Sequence, residues 1–367
     1  MRAFRALADG DYALPAAGVV LVGPNGHGKT SLLEAVLYLE VFRSFRGARD
    51  RELVRFGEDG FHVEVETEAG GDGGGVAGRP IPERSREGSG AKRFVAAGYD
   101  ARTREKRVVA DGLQASRLAD AIGAVRGVVL SPSDSELATG GARVRRGFMD
   151  VLLSLTVAGY VEALGEYRRA LRHRCRATRD VADWEALLAR SGARVAAARR
   201  VWVERSAPRY GALCAEIGEI QAAGLCYATR ATAGEAELAE ALERSRERDL
   251  VRGATSVGPH RDDLRLLLGE RDLGVYGSAG QWRTAALALR LIEAETLAER
   301  DGPPVICLDD AFAELDAERS ARLGGLVERL AARGSQVLAT VPREGEMPEA
   351  VRSLPRWRIR DGTIATT

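Results

Sequence analysis

Eight consecutive residues, Gly23-Pro24-Asn25-Gly26-His27-Gly28-Lys29-Thr30, carry the most chemically specific pattern in the chain. They fit G-x-x-x-x-G-K-[ST], a spacing in which backbone N–H groups converge on a phosphate chain. Glycine permits that crowding because it has no Cβ. In such a loop Lys29 reaches the β and γ phosphates of ATP, the Thr30 hydroxyl binds Mg²⁺, and Ser31 continues the first helical turn. Far downstream, Val305-Ile306-Cys307-Leu308-Asp309-Asp310 ends an apolar run in two carboxylates. A carboxylate at the C-terminal end of a buried strand beside a phosphate loop holds the same Mg²⁺, the role expected of Asp309. Asp310 then orients the attacking water, so Lys29 and Asp310 are the catalytic candidates. A third stretch, Ser278-Ala279-Gly280-Gln281, offers a hydroxyl and bare N–H groups at a helix start. It reads either as a second phosphate-facing surface or as an ordinary N-cap.

Particular elements must position these groups. Gly18-Val19-Val20-Leu21-Val22 reads as a buried strand entering the phosphate loop, and Leu32, Leu33, Val36 and Leu37 give the following helix its apolar residues. Phe61, Val63 and Val65 alternate as a half-buried strand, and Phe94 to Tyr99 and Lys106 to Ala110 extend the same small sheet. Residues 69–90 read as a flexible loop with little to bury. A helical stretch from Leu118 to Ile122 leads to a strand from Gly127 to Leu130. The period then changes. Phe148, Val151, Leu152, Leu155, Tyr160, Val161, Leu164, Tyr167 and Leu171 form the stripe of one amphipathic helix. A second helix carries Trp184 to Trp202 and is expected to end before Pro208, and a third holds Leu213, Ile217 and Ile220. Beyond Asp249 come strands at Arg265 to Leu268, Val305 to Asp309 and Gln336 to Thr340, then a hairpin turning at Asp361-Gly362.

The expected fold class is therefore α/β. Residues 1–132 and 250–367 form an ABC-type P-loop ATPase head with a β-rich lobe, and 133–249 form an inserted all-α arm. In ABC-type heads the surface corresponding to Ser278, Ala279, Gly280 and Gln281 serves the nucleotide of the opposite subunit, and Asp309, Asp310 and Asp316 follow it here at the matching spacing.

A chain of 367 residues suggests two or three structural units, and 45% hydrophobic residues are ample for globular folding. No apolar run approaches the ~18 residues of a membrane span, and no signal peptide is evident, so a cytoplasmic protein with no membrane partner is expected. Cys175, Cys214, Cys226 and Cys307 are far apart and read as buried, reduced thiols. A net charge of +1 hides an uneven distribution: Arg143 to Arg209 holds 15 arginines against 7 acids, a local excess of 8 and an expected basic surface.

The chain resembles the RecF recombination mediators of bacterial DNA repair nearly end to end. The resemblance rests on Phe4-Arg5, the Gly23 to Thr30 loop with Leu33-Glu34-Ala35, Arg43-Ser44-Phe45-Arg46 and Ser131-Pro132 with Asp134. It continues through Arg145-Arg146 with Phe148 and Asp150, Gly258 to Leu264, Ser278 to Gln281, Asp309-Asp310 and Leu315-Asp316. What it implies is an ATP-dependent homodimer that binds duplex DNA and single-strand/duplex junctions. It also implies slow, DNA-stimulated hydrolysis and help in loading RecA with RecO and RecR during repair and replication-fork recovery. Members begin with a complete strand before the Phe-Arg pair, whereas only Met1-Arg2-Ala3 precede Phe4, so a shortened start is expected. Gly277-Ser278-Ala279 departs from the commoner signature, which bears on hydrolysis and dimer closure. Asp134 stands in for a Q-loop glutamine, the switch-histidine position falls near Thr340-Val341-Pro342, and His260 and Arg261 serve either loop stability or nucleotide.

Other classes fit less well. An ABC transporter motor lacks such a long basic insertion, and an SMC or Rad50-like tether needs hundreds of coiled-coil residues. A nucleotide-binding regulator without turnover remains open because of Ala279.

Overall fold

The computed structural model describes residues 1–68, 92–176, 181–229 and 234–366. The expected loop at 69–90 lies outside them. Two compact units divide the chain: Met1–Ser133 with Glu293–Thr367, and Asp134–Ile292. In the first unit β1 (Gly18–Val22) is buried along its whole length, as a parallel strand covered on both faces should be. β2 (Gly60–Glu68), β3 (Lys92–Asp100), β4 (Glu105–Ala110) and β5 (Leu113–Gln114) form an antiparallel sheet, the β-rich lobe. α1 (Lys29–Val41) meets this lobe through aromatic edges, with the Phe61 ring 5.2 Å from Phe4 and 5.3 Å from Tyr38. At the chain start, Arg2 and Phe4 bridge to His62 and Val54. α2 (Asp50–Leu53) is a single turn. The helix expected from Leu118 to Ile122 shrinks to one 3-10 turn, Leu118–Asp120, with Gly123 at φ +82° turning the chain away.

The central sheet of this unit runs β13-β12-β1-β11-β10-β6 among the described residues. Here β6 is Gly127–Leu130, β10 Val305–Asp309, β11 Val337–Val341, β12 Arg356–Arg360 and β13 Thr363–Thr366. All pairings are parallel except the β12–β13 hairpin. Leu21 is registered with Thr340, and Thr340 with Asp309. The phosphate loop after β1 and the carboxylates of β10 thus emerge at one sheet edge, separated by a single strand. α10 (Ala317–Ala332) starts at Asp316, whose side chain accepts the Arg319 N–H as an N-cap.

The second unit holds α3 (Glu136–Thr139), α4 (Ala142–Thr156), α5 (Tyr160–Arg176), α6 (Ala182–Ile217), α7 (Glu235–Arg252), α8 (Leu273–Tyr276) and α9 (Ala279–Asp301) as far as Ile292. It also has a three-stranded antiparallel sheet of β7 (Ala223–Ala228), β8 (Asp263–Leu268) and β9 (Arg271–Asp272). The inserted segment is mainly helical, but Ala223–Ala228 adds one strand that the helical stripes gave no sign of. Its residues find in β8 a partner remote in sequence.

Four other expectations are corrected. The single stripe from Phe148 to Leu171 is two helices, because Val157 is extended and Gly159 takes φ +73°. Pro208 does not end the second helix: α6 continues through it to Ile217. The missing N–H is tolerated because buried residues on both sides, Trp202, Val203, Tyr210 and Leu213, hold the helix in its packing. Ile220 lies beyond that helix and is fully exposed. Finally, Cys226 is exposed on β7, although Cys214 and Cys307 are buried as expected.

The arginine-rich stretch is only partly surface. Arg174 and Arg199 are buried, Arg174 against Glu185 and Asp249 and Arg199 against Asp150. Arg145 pairs with Asp263, and the more exposed Arg168 with Asp150. A sum over sequence counts those charges as available when the fold has already used them.

Candidate nucleotide site

The phosphate loop takes its shape from two glycines in left-handed conformations, Gly26 at φ +83° and Gly28 at φ +103°. Gly28 is the N-cap of α1, and no side chain caps the helix. Its first amides are left for an anion, the arrangement helix N-termini use for phosphate. The loop is also tied from below. Asp361 donates its N–H to His27 Nδ1 at 2.9 Å, and Gly362 donates to the His27 carbonyl at 3.1 Å. The β12–β13 turn thus buttresses the residue before the Gly28-Lys29-Thr30 triplet.

Lys29 is buried, and its ammonium donates to Gly23 O at 2.6 Å, Pro24 O at 3.0 Å and Asn25 Oδ1 at 3.1 Å. All three acceptors are neutral and belong to the loop itself. Thr30 Oγ1 donates to Asp309 Oδ1 at 2.8 Å, joining residues 279 apart in sequence. Thr340 Oγ1 donates to the same oxygen at 3.0 Å and accepts the Asp310 N–H at 3.1 Å. From sequence Thr340 was placed only near the switch-histidine position, not in contact with Asp309. Its position on the strand between β1 and β10 makes it the strut between the two halves of the site. An all-oxygen pair, Thr30 with Asp309, suits Mg²⁺, which takes one or two protein ligands and keeps several waters. Among the described residues no group of three or more His, Cys, Asp or Glu is arranged to hold a metal.

Two groups at this edge are electrostatically displaced. Burial lowers the Lys29 pKa from the usual lysine value, with the charges of Asp310 and Asp309 opposing. Burial raises the Asp310 pKa above the usual carboxylate value, Lys29 opposes this, and Asp309 and Glu346 add to it. Asp310 also sits at φ +53°, a region an aspartate enters at a cost. A perturbed carboxylate beside a perturbed lysine is the pattern expected where charge is to be handled during chemistry.

Lys29, Thr30, Asp309 and Asp310 are therefore brought together within the first unit. Ser278, Ala279, Gly280 and Gln281 belong to the second. There Ser278 N donates to Gln281 Oε1 at 2.9 Å, and Gln281 N donates to Ser278 Oγ at 3.4 Å, a reciprocal cap on α9. Ser278 and Ala279 are exposed. Asp134 is buried and accepts from Arg290 Nε and Nη2 at 2.9 and 2.8 Å. His260 and Arg261 serve their own loop: His260 Nε2 donates to Thr255 O at 2.9 Å, as do Arg261 Nε and Nη2 at 3.1 and 2.9 Å. His260 Nδ1 is left to accept from Tyr167 OH at 2.5 Å. Burial first, then the charges of Arg261 and Arg146, push the His260 pKa down to about 4, so the ring is neutral at physiological pH.

Sequence and structure comparisons bear on this geometry. No family model matches the chain. The DNA replication and repair protein RecF of Myxococcus xanthus (strain DK1622) is 36% identical over 357 residues, which cover 92% of this chain and 88% of that protein. A solved structure of the recombination mediator protein RecF with ATP, in the RecFOR pathway, superimposes with a TM-score of 0.86 at 26% identity. It covers 100% of this chain and 95% of its own. An Smc head bound to the C-winged helix domain of ScpA shares the fold alone, with a TM-score of 0.55 at 13% identity over 100% of this chain and 95% of that one.

Proposed function

The chain belongs to the RecF family of DNA replication and repair proteins, and from that premise we propose that it is an ATP-gated DNA-binding protein that works as a recombination mediator. The observation that carries this reading is the meeting of Lys29, Thr30, Asp309 and Asp310, braced by Thr340, at the edge of one sheet. The Lys29 ammonium, held by neutral oxygens, exchanges them for phosphate oxygens without breaking an ion pair. Thr30 and Asp309 would hold Mg²⁺, which when bound supplies positive charge against the phosphate oxygens. Asp310 holds the water for attack, and its raised pKa makes it a better proton acceptor than an ordinary carboxylate.

In this reading residues 1–132 and 250–367 are the ATPase head, and 133–249 are the arm. Two copies close on ATP, each turning Ser278 to Gln281 toward the other's nucleotide, and the closed pair grips duplex DNA or a single-strand/duplex junction. Working with RecO and RecR to load RecA in the cytoplasm belongs to the same reading. ATP at ~100 times its dissociation constant favours a closed state that alone binds it by about 2.7 kcal/mol, so slow hydrolysis suffices to reset the gate.

Light scattering with no nucleotide, ADP and ATP, with and without duplex, tests the gate. A dimer that appears only with ATP is expected, whereas a monomer in saturating ATP that ignores DNA at low salt overturns the proposal. Turnover of the wild type with junction DNA should exceed that of Lys29→Ala and Asp310→Ala. Equal rates would favour a second reading, a regulator that binds ATP without hydrolysing it, which the self-capped Ser278 supports.

A further inference from the structure

Arg43-Ser44-Phe45-Arg46 is among the most particular stretches of the sequence, yet the nucleotide site makes no use of it. Between positions 43 and 49 stand three arginines and no acid. All three, Arg43, Arg46 and Arg49, are exposed, whereas Phe42 just before them and Ser44 among them are buried.

The loop that displays them is bolted at several points. Glu34, in the middle of α1, is fully buried and accepts Arg5 Nε at 2.9 Å and Arg5 Nη2 at 3.0 Å. The Ser44 hydroxyl donates to the same carboxylate and accepts the Arg46 N–H at 3.0 Å. Lys106, in a chain with only Lys29 and Lys92 as its other lysines, donates to the Phe42 carbonyl at 2.6 Å and pairs with Asp50 at 2.9 Å. Tyr38 OH holds the other Asp50 oxygen at 2.9 Å. Arg46 lies 3.8 Å from Glu34 and is partly engaged, but Asp50 and Glu34 are both taken up by other partners. A buried carboxylate is costly unless fully bonded, so the network fixes one conformation of the loop.

We propose that Arg43, Arg46 and Arg49 form a preorganised edge of the head that binds the phosphates of the DNA backbone. This rests on the DNA-binding reading above and assigns part of that surface to the head as well as to the arginine-rich arm. The loop leaves α1 at its far end but folds back, bringing Arg46 to 3.8 Å from Glu34, so the nucleotide's phosphates are the competing ligand and the parallel ATP measurement separates the two. A row of separate cations on a fixed loop matches a repeating phosphodiester chain and carries no sequence preference.

The test is anisotropy of a short labelled duplex across a salt series, with ATP affinity measured in parallel. In the Arg43→Gln/Arg46→Gln/Arg49→Gln variant we expect DNA affinity to fall by at least ~10-fold and the log-log salt slope to become shallower by about 2 to 3, with ATP affinity unchanged. Ser44→Ala keeps every charge and loosens the loop, so a loss of a few-fold with an unchanged slope is expected. Wild-type affinity and slope in the triple variant overturn the proposal, as does a parallel loss of ATP affinity, which would assign the arginines to nucleotide. A wild type that does not bind DNA at all would instead sink the DNA reading itself.

Discussion

Both units bury positive charge, and they treat it in opposite ways. In the helical unit the five N–H groups of Arg174 all find acceptors, on Glu185, Asp249, Thr255 and Leu242, two of them carboxylates. Arg199 is held by Asp150, Tyr160 and the Pro259 carbonyl. In the first unit Lys29 has bonds enough for its three protons, but every partner is neutral. Geometry satisfies both cations, whereas only the arginines are neutralised. A cation solvated by carbonyls keeps its charge for an incoming anion, and one locked to carboxylates serves the fold.

Truncation should expose that contrast most strongly. Arg174→Met leaves Asp249 buried without its cation and Glu185 with Arg246 alone, and should cost about 3 kcal/mol in urea unfolding. Lys29→Met in the same assay should change stability by less than ~1 kcal/mol while abolishing ATP binding. Equal losses would erase the distinction between the two regions. Next comes His260, whose folded pKa of about 4 lies below the unfolded value near 6.5. The unfolded chain therefore binds the proton first, and stability declines as pH falls through that window, by about 3 kcal/mol in all. His260→Gln should flatten that part of the pH–stability curve. Smaller still, Ser278→Ala removes one side of the α9 cap and should cost about 1 kcal/mol. If it also removes ATP-dependent dimerisation, Ser278 does more than cap.

Asp310→Asn gives the smallest effect, and its sign is opposite. Because burial raises the folded pKa of Asp310, the folded protein holds that proton more tightly and loses stability as pH rises from the ordinary carboxylate range through the raised value. Replacing the carboxylate should raise the melting temperature slightly at neutral pH and eliminate turnover. The wild-type rate should have an acid limb displaced upward from that of an ordinary carboxylate.

The phosphate loop, β1 and Asp309 were legible because short apolar runs ending in glycine or aspartate leave few alternatives. The bracing role of Thr340 was not, since its position near the switch-histidine site says nothing of a bond to Asp309 until register puts the two side by side across 31 residues. Glu34 looks like any surface glutamate of a helix, and only the return of Ser44 and Arg5 onto α1 buries it. The continuation of α6 through Pro208 shows tertiary packing overriding a strong local signal. For Arg174 and Arg199, composition supplied the charge and only three-dimensional pairing showed where it was spent.

The parallel sheet has one further consequence, in time. β1 lies between β11 and β12, both made from the last stretch of the chain. At roughly 5–20 residues per second a ribosome needs on the order of 15–60 s between β1 and the end of β11. Throughout that interval the most apolar strand of the head has emerged with neither lawful neighbour available. Its two bare edges are open to pairing with other nascent chains until its own C-terminal strands arrive.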